Sequence, residues 1–73
     1  MEANRDFIKR QLDSGKTIWR FTDTAEISYT KTPNGVFVVR HCNSDNVETI
    51  SMEVAVRQLS RNFKRIFKVG HGG

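Results

Sequence analysis

The sequence contains a single cysteine and no long apolar run, and each shortage argues against a class of protein. Cys42 is the only cysteine in 73 residues, so no internal disulfide can form. Small domains of oxidising compartments usually carry several cysteines, which favours an intracellular protein. No apolar run approaches the roughly 20 residues that a membrane span requires, and residues 1–6 lack the apolar core of a signal peptide. The composition therefore predicts a soluble, intracellular chain.

Residue types that build catalytic and metal sites are present without the spacing that such sites need. His41 and Cys42 are adjacent, so on a strand their side chains point to opposite faces and do not share a metal. The sequence has no glycine-rich phosphate loop, no nucleophile motif and no paired carboxylates of the glycosidase kind. We therefore expect a protein that is not an enzyme and that uses neither a cofactor nor a metal.

Acidic residues are missing from the end of the chain. The net charge is +4, but residues 1–53 hold seven Lys and Arg against eight Asp and Glu, whereas residues 54–73 hold five against none. A charge that is segregated in this way favours a binding surface more than an evenly spread charge does. The complementary partner would be an acidic protein surface or a nucleic acid.

Residues 52–69 show the period of one amphipathic helix, preceded by Ser51 as an N-cap. Four cations fall within a stripe about 60° wide when successive residues turn by about 100°. This predicted basic stripe consists of Arg57, Arg61, Lys64 and Lys68. The opposite side is apolar, and the cations have no acidic partners from Val54 onward, so they repel one another along the helix. The pattern favours a partner-binding role for the stripe over a merely solvated surface, although both remain open.

The rest of the chain predicts a first helix and then antiparallel strands. The helix covers residues 3–13 and is ended by Ser14 and Gly15, with Gly15 available for a left-handed cap. The strands cover residues 17–22, 26–31, 36–42 and 47–50, with a turn at 43–46. We expect one α+β domain over residues 1–69, followed by a flexible tail at 70–73. Its architecture would be a small two-layer sandwich: a helix, a three- or four-stranded antiparallel meander and a second helix.

The segment Thr32–Gly35, with the sequence Thr-Pro-Asn-Gly, predicts a three-residue loop closed by a glycine bulge. This register, together with a similar loop at residues 23–25, places four aromatic residues on the core face: Trp19, Phe21, Tyr29 and Phe37. That placement argues against a base-stacking platform. It also places Arg20 and Arg40 on the outer face, flanking Ser28. A shift of one residue would reverse all of these faces.

The helix–strands–helix order is shared with double-stranded RNA-binding domains, but that family concentrates lysines at the start of its last helix. Here that position reads Met-Glu-Val-Ala-Val over residues 52–56. The chain resembles the small regulators that lytic bacteriophages make, in its size and in its charge layout. The predicted basic stripe is the main feature of this resemblance. Several of those bind the host RNA polymerase. The resemblance implies a stoichiometric inhibitor of initiation, or a protein that alters termination, in the host cytoplasm.

Two functions therefore follow as expectations. The first is a non-enzymatic transcription regulator that docks on a large protein, foremost bacterial RNA polymerase. Its expected contacts are the predicted basic stripe, the pair Arg20 and Arg40, and the first-helix cations Arg5, Lys9 and Arg10. The alternative is a protein that binds nucleic acid directly through the basic face of the C-terminal helix. A third, weaker option is a structural module of a larger assembly.

Overall fold

The structure is a computed structural model that describes residues 2–42 and 46–71. The elements of this described chain are, in order, α1 (Glu2–Asp13), β1 (Lys16–Phe21), β2 (Glu26–Thr32), β3 (Gly35–His41), β4 (Asn46–Ile50), α2 (Met52–Arg61), a 3₁₀ helix (Phe63–Arg65) and β5 (Ile66–His71). The strands form one antiparallel sheet in the order β4-β3-β2-β1-β5, and both helices lie on the same side of it. The predicted α+β arrangement is confirmed, with one more strand than expected.

Helix α1 forms where its apolar spacing predicts. Ile8 and Leu12 are fully buried against the sheet, and Phe7 packs the edge of its ring on Phe63, with 6.1 Å between the ring centroids. The helix ends at Asp13 and is followed by the cap residue Gly15, which has a left-handed φ of +82° and whose amide donates to the Leu12 carbonyl. The predicted left-handed cap is therefore confirmed.

The β2–β3 hairpin turns one residue earlier than expected. Thr32 pairs with Gly35, so the loop contains only Pro33 and Asn34. The Thr32 hydroxyl accepts from the Asn34 amide at 3.3 Å and donates to the Gly35 carbonyl at 3.0 Å, which closes the shorter turn. Gly35 is required for a different reason than a bulge: at φ +135°, an added Cβ would lie 2.6 Å from the Ile50 carbonyl oxygen. The predicted three-residue loop is therefore wrong.

This one-residue shift inverts the faces of β3 relative to the prediction, and the faces of β1 are inverted as well. Tyr29 pairs with Val38 and with Ile18, and all three side chains are buried on the helix-covered side. Because side chains alternate along a strand, Trp19 and Phe37 point to the other side of the sheet. Phe21 lies on that side too, so only Tyr29 of the four aromatic residues occupies the predicted core position.

The loop between β1 and β2, in contrast, is one residue longer than expected, and this difference inverts the faces of β1. Phe21 pairs with Glu26, and the connection is closed by the Thr22 amide, which donates to the Ala25 carbonyl at 2.8 Å. The predicted pairing of Phe21 with Ile27 is therefore wrong, and Arg20 pairs with Ile27 instead.

The last helix begins as predicted and ends eight residues early. The Ser51 hydroxyl accepts from the Val54 amide at 3.2 Å and caps α2. At the other end, the Asn62 side chain and main chain both donate to the Gln58 carbonyl, at 2.8 and 3.2 Å, and Asn62 leaves the helical conformation at φ −112° and ψ 30°. The single helix over residues 52–69 is thus wrong.

Residues after Asn62 form a 3₁₀ helix and then strand β5. Ile66 and Val69 are β-branched, which favours strand over helix. Strand β5 pairs with β1 through Ile18–Val69 and Thr17–Gly70, with an irregularity between Trp19 and Arg20. Without strand β5, β1 would leave a row of backbone donors and acceptors unpaired at the sheet edge.

The expected flexible tail falls partly within this strand. Gly70 and His71 belong to β5, so the domain extends beyond residue 69, whereas residues 72 and 73 lie outside the described residues. Most of the turn predicted at 43–46 also lies outside them, and Asn46 is the first residue of β4.

The core lies between the two helices and one face of the sheet. Its buried apolar side chains come from α1, from three strands and from α2: Ile8, Leu12, Ile18, Ile27, Tyr29, Val36, Val38, Ala55 and Leu59. The other face of the sheet is not covered by either helix of the described chain.

Candidate interaction surfaces

The helix-free side of the sheet, here called the open sheet face, is one of two surfaces with distinctive chemistry. Strand pairing determines its membership, because paired residues point to the same side. Its residues are Thr17, Trp19, Phe21, Glu26, Ser28, Thr30, Phe37, Val39, His41, Val47, Thr49, Lys68 and Gly70.

Large apolar side chains of the open sheet face are accessible to solvent. Phe21 is 45% exposed, Phe37 is 39% exposed and Val47 is 60% exposed, while Trp19 is half-buried. Thr17 is only 2% exposed, and its hydroxyl lies 2.7 Å from that of Thr30. The face is therefore aromatic and aliphatic, with hydroxyl groups already paired beneath it.

Lys68 is the single Lys or Arg on the open sheet face of the described chain. It lies on β5, where it pairs with Trp19, and its Nζ stands 4.7 Å from the centroid of the Trp19 ring. At that distance the ammonium interacts with the face of the indole. Lys68 is thus separated from the other members of the predicted basic stripe by the whole thickness of the sheet.

The remaining members of the predicted basic stripe lie on the helical side but not on one helix face. Arg57 and Arg61 belong to α2, and Lys64 belongs to the 3₁₀ helix. Arg57 pairs with Glu53 one turn earlier, at 3.4 Å, so the expectation that it lacks an acidic companion is wrong. The stripe is therefore divided, because the helix that would have aligned it ends at Arg61.

Arg20 and Arg40 are on the helix-covered side of the sheet, where they flank Ile27 and not Ser28. The Arg20 Nε donates to the Tyr29 hydroxyl at 3.0 Å, and that hydroxyl donates to Gln58 Oε1 at 2.9 Å. The guanidinium carbon also lies 5.7 Å from the centroid of the Tyr29 ring. This chain of contacts joins β1, β2 and α2, which gives Arg20 a structural explanation.

The first-helix cations are accessible, as expected. Arg5, Lys9 and Arg10 are exposed on α1, and Arg40 is exposed on β3. Together with Lys16, Arg20, Lys31, Arg57, Arg61, Lys64 and Arg65, they belong to the side of the molecule that bears the helices. Eleven of the twelve Lys and Arg residues thus lie away from the open sheet face.

The open sheet face is the feature that the sequence analysis missed. Residues 36–39 read Val-Phe-Val-Val, and either phase of this run is apolar, so alternation alone does not choose the buried side. The Thr32 hydroxyl, which closes the two-residue loop, was the available signal. Threonine at the first position of a turn commonly makes such a bond.

Within the described residues, no group of three or more His, Cys, Asp or Glu side chains is placed to hold a metal ion, and no helix is long and apolar enough to cross a membrane. Comparison with protein-family models, with curated proteins and with solved structures gives no significant match.

Proposed function

We propose that this protein is a non-enzymatic binding protein that docks on another protein through its open sheet face. The observation that carries the proposal is the combination of three aromatic side chains, Trp19, Phe21 and Phe37, with almost no charge on the same surface. Glu26 and Lys68 are the charged side chains there within the described chain, and their charges are opposite.

This composition favours a protein partner over a phosphate backbone. The buried centres of protein interfaces are enriched in aromatic residues and depleted of charge. Binding of nucleic acid depends on cations that neutralise phosphates. With eleven of the twelve Lys and Arg residues elsewhere, the open sheet face offers aromatic area for contact and a single cation.

Trp19 has the position expected of an anchor in such an interface. It lies on β1, next to the central strand β2, and its neighbours across the face are Ser28 and Lys68. Residues that dominate binding energies are enriched in tryptophan and cluster near the centre of an interface. Five strands about 4.8 Å apart give a face roughly 20 Å wide, which suits an interface at the small end of the usual range.

The resemblance to small phage regulators directs the first test to bacterial RNA polymerase. A domain of 73 residues that docks in this way would act by occupying a surface of the enzyme, in the cytoplasm where the enzyme works. Inhibition of initiation and altered termination are the two outcomes that occupation could produce. The basic side of the domain would then face away from the docking surface and toward solvent or nucleic acid.

The test begins with immobilised protein that has been freed of nucleic acid by nuclease treatment. Purified bacterial RNA polymerase is titrated onto it in two series, one with nuclease in the binding buffer and one without. Phe37→Ala should weaken binding by about tenfold, because truncation of a central aromatic residue commonly costs more than 1 kcal/mol. Phe7→Ala is the matched control, since Phe7 is exposed to the same extent, 38% against 39%, on the helical side.

Equal affinity of the Phe37→Ala variant and the parent protein would remove the open sheet face from the mechanism. Loss of binding on nuclease treatment would show that nucleic acid mediates the contact, in favour of the alternative function. If the polymerase binds neither the parent protein nor the variants, bacterial RNA polymerase is excluded as the partner.

A further inference from the structure

A depression lies on the helical side of the molecule, where α2 ends and the chain turns toward β5. It has a volume of about 430 Å³ and is lined by residues from α1, from the end of α2 and from the 3₁₀ helix: Asn4, Ser60, Arg61, Asn62, Phe63, Lys64 and Arg65. We call it the basic cleft. It is independent of the open sheet face, which is on the other side of the sheet.

The charge of the basic cleft is entirely positive. Arg61, Lys64 and Arg65 lie within five consecutive residues, and no acidic residue lines the cleft. Arg61 and Lys64 form no ion pair within the described chain, whereas Arg65 lies 3.6 Å from Asp23, whose side chain is 94% exposed. An exposed pair of this kind contributes little, so the mutual repulsion of the three cations is largely uncompensated.

The remaining lining groups can complete the recognition of an anion. Ser60 and Asn4 bring a hydroxyl and an amide to the same cleft, and Asn4 is in the first turn of α1, the positive end of that helix. The Asn62 side chain is fixed by its 2.8 Å bond to the Gln58 carbonyl. The cleft therefore combines a fixed polar side chain, Asn62, with three exposed cations.

Phe63 provides an apolar wall in the basic cleft. It is half-buried, and its ring is held by the edge-to-face contact with Phe7. An aromatic surface beside three cations suits a ligand that has both an anionic group and a flat ring. A nucleotide unit has both parts, and the volume falls within the usual range for small-ligand sites, roughly 300–1,000 Å³.

We propose that the basic cleft binds the phosphate group of a nucleotide unit, with Arg61 and Lys64 as the principal phosphate ligands and Phe63 beside the base or sugar. The nucleotide can be free or part of a single strand, since the phosphate chemistry is the same. This site is additional to protein docking and does not rest on it.

The test uses the whole 73-residue protein and backbone amide chemical shifts. Inorganic phosphate, adenosine monophosphate and an eight-residue oligothymidylate are titrated in turn at low salt. We expect shifts at Asn4 and at residues 60–65, and none at Trp19 or Phe37 on the open sheet face. Response to the mononucleotide identifies a free ligand, and response to the oligonucleotide alone identifies a strand; either supports the site.

The decisive variant is Arg61→Gln with Lys64→Gln. It should weaken oligonucleotide binding at least tenfold and reduce the slope of log affinity against log salt by about 1.4, since each single-strand phosphate contact contributes about 0.7. The matched control is Lys9→Gln with Arg10→Gln, which removes the same charge from α1 and should change affinity less than threefold.

Three results would overturn the proposal: no shift with any of the three probes, equal weakening by both double variants, or shifts centred on the open sheet face. Equal weakening would mean that overall charge governs binding, without a formed site. Amide spectra of each variant before titration establish that it is folded.

Discussion

The two faces of the sheet are similarly apolar, yet they are built from different side chains and have different consequences. The helix-covered face presents Ile18, Ile27, Tyr29, Val36 and Val38, each no more than 6% exposed. The open sheet face presents Trp19, Phe21, Phe37, Val39 and Val47 without a covering layer. The first face stabilises the domain, whereas the second leaves apolar area in contact with water. Hydrophobicity alone therefore does not distinguish a core from a docking surface.

The largest expected effect comes from removing the same methyl groups on each face. Val36 is fully buried and Val47 is 60% exposed, so Val36→Ala should reduce the free energy of unfolding by about 2–3 kcal/mol and Val47→Ala by less than about 0.5. Denaturant titration followed by circular dichroism measures both. Similar losses in the two variants would mean that the open sheet face is buried in solution, as it would be in a dimer.

A smaller effect is expected where the covered face contains a polar group. Tyr29→Phe removes the hydroxyl that accepts from Arg20 and donates to Gln58, at 3.0 and 2.9 Å. Because both partners lose a bond in a partly buried place, we expect a loss of about 1–2 kcal/mol. The same titration measures it. A change below about 0.3 kcal/mol would show that water replaces the hydroxyl and that the contact does not join β1, β2 and α2.

The smallest effect is expected on the open sheet face itself. Lys68→Gln removes the ammonium that stands 4.7 Å from the Trp19 ring, and we expect a loss of about 0.5 kcal/mol together with a changed emission spectrum of this single tryptophan. Lys9→Gln, on α1, is the control and should leave the emission unchanged. An unchanged spectrum in the Lys68 variant would contradict the ring contact.

Local signals predicted much of the fold. The α1 cap at Gly15, the N-cap at Ser51 and the extended segments of β1 to β4 depend on neighbours within a few residues, and all were identified. The candidate contact residues were found less completely. Arg5, Lys9 and Arg10 are accessible as expected, whereas Arg20 is engaged by Tyr29 and Lys68 lies across the sheet from Arg61.

The errors in the strand faces arise from the lengths of two loops, and the error in the last helix arises from strand pairing. A period-2 strand assigns its faces by a register, and the register here differs by one residue because the Thr32 hydroxyl closes the loop early. That difference moves Phe37 from the expected core to the surface, and the β1–β2 loop, which is one residue longer than expected, does the same for Trp19 and Phe21. The apolar spacing of the segment after Asn62 predicts a helix when it is considered alone. In the structure its residues 66–71 form a strand, which pairs with the edge of β1.

The sequence by itself determined the order of the helices and of strands β1 to β4, the residues at which the helices begin and the basic character of the chain. These features depend on short-range propensities and on composition. Only the tertiary structure decided which aromatic residues are exposed, where the basic stripe divides and that residues 66–71 complete the sheet. The exposure of the aromatic residues depends on the register in which Tyr29 pairs with Ile18 and Val38. The added strand depends on pairing between Ile18 and Val69, which are far apart in the chain. Residues 66–71 pair with the edge of β1, whose backbone donors and acceptors a helix at this position would leave without strand partners.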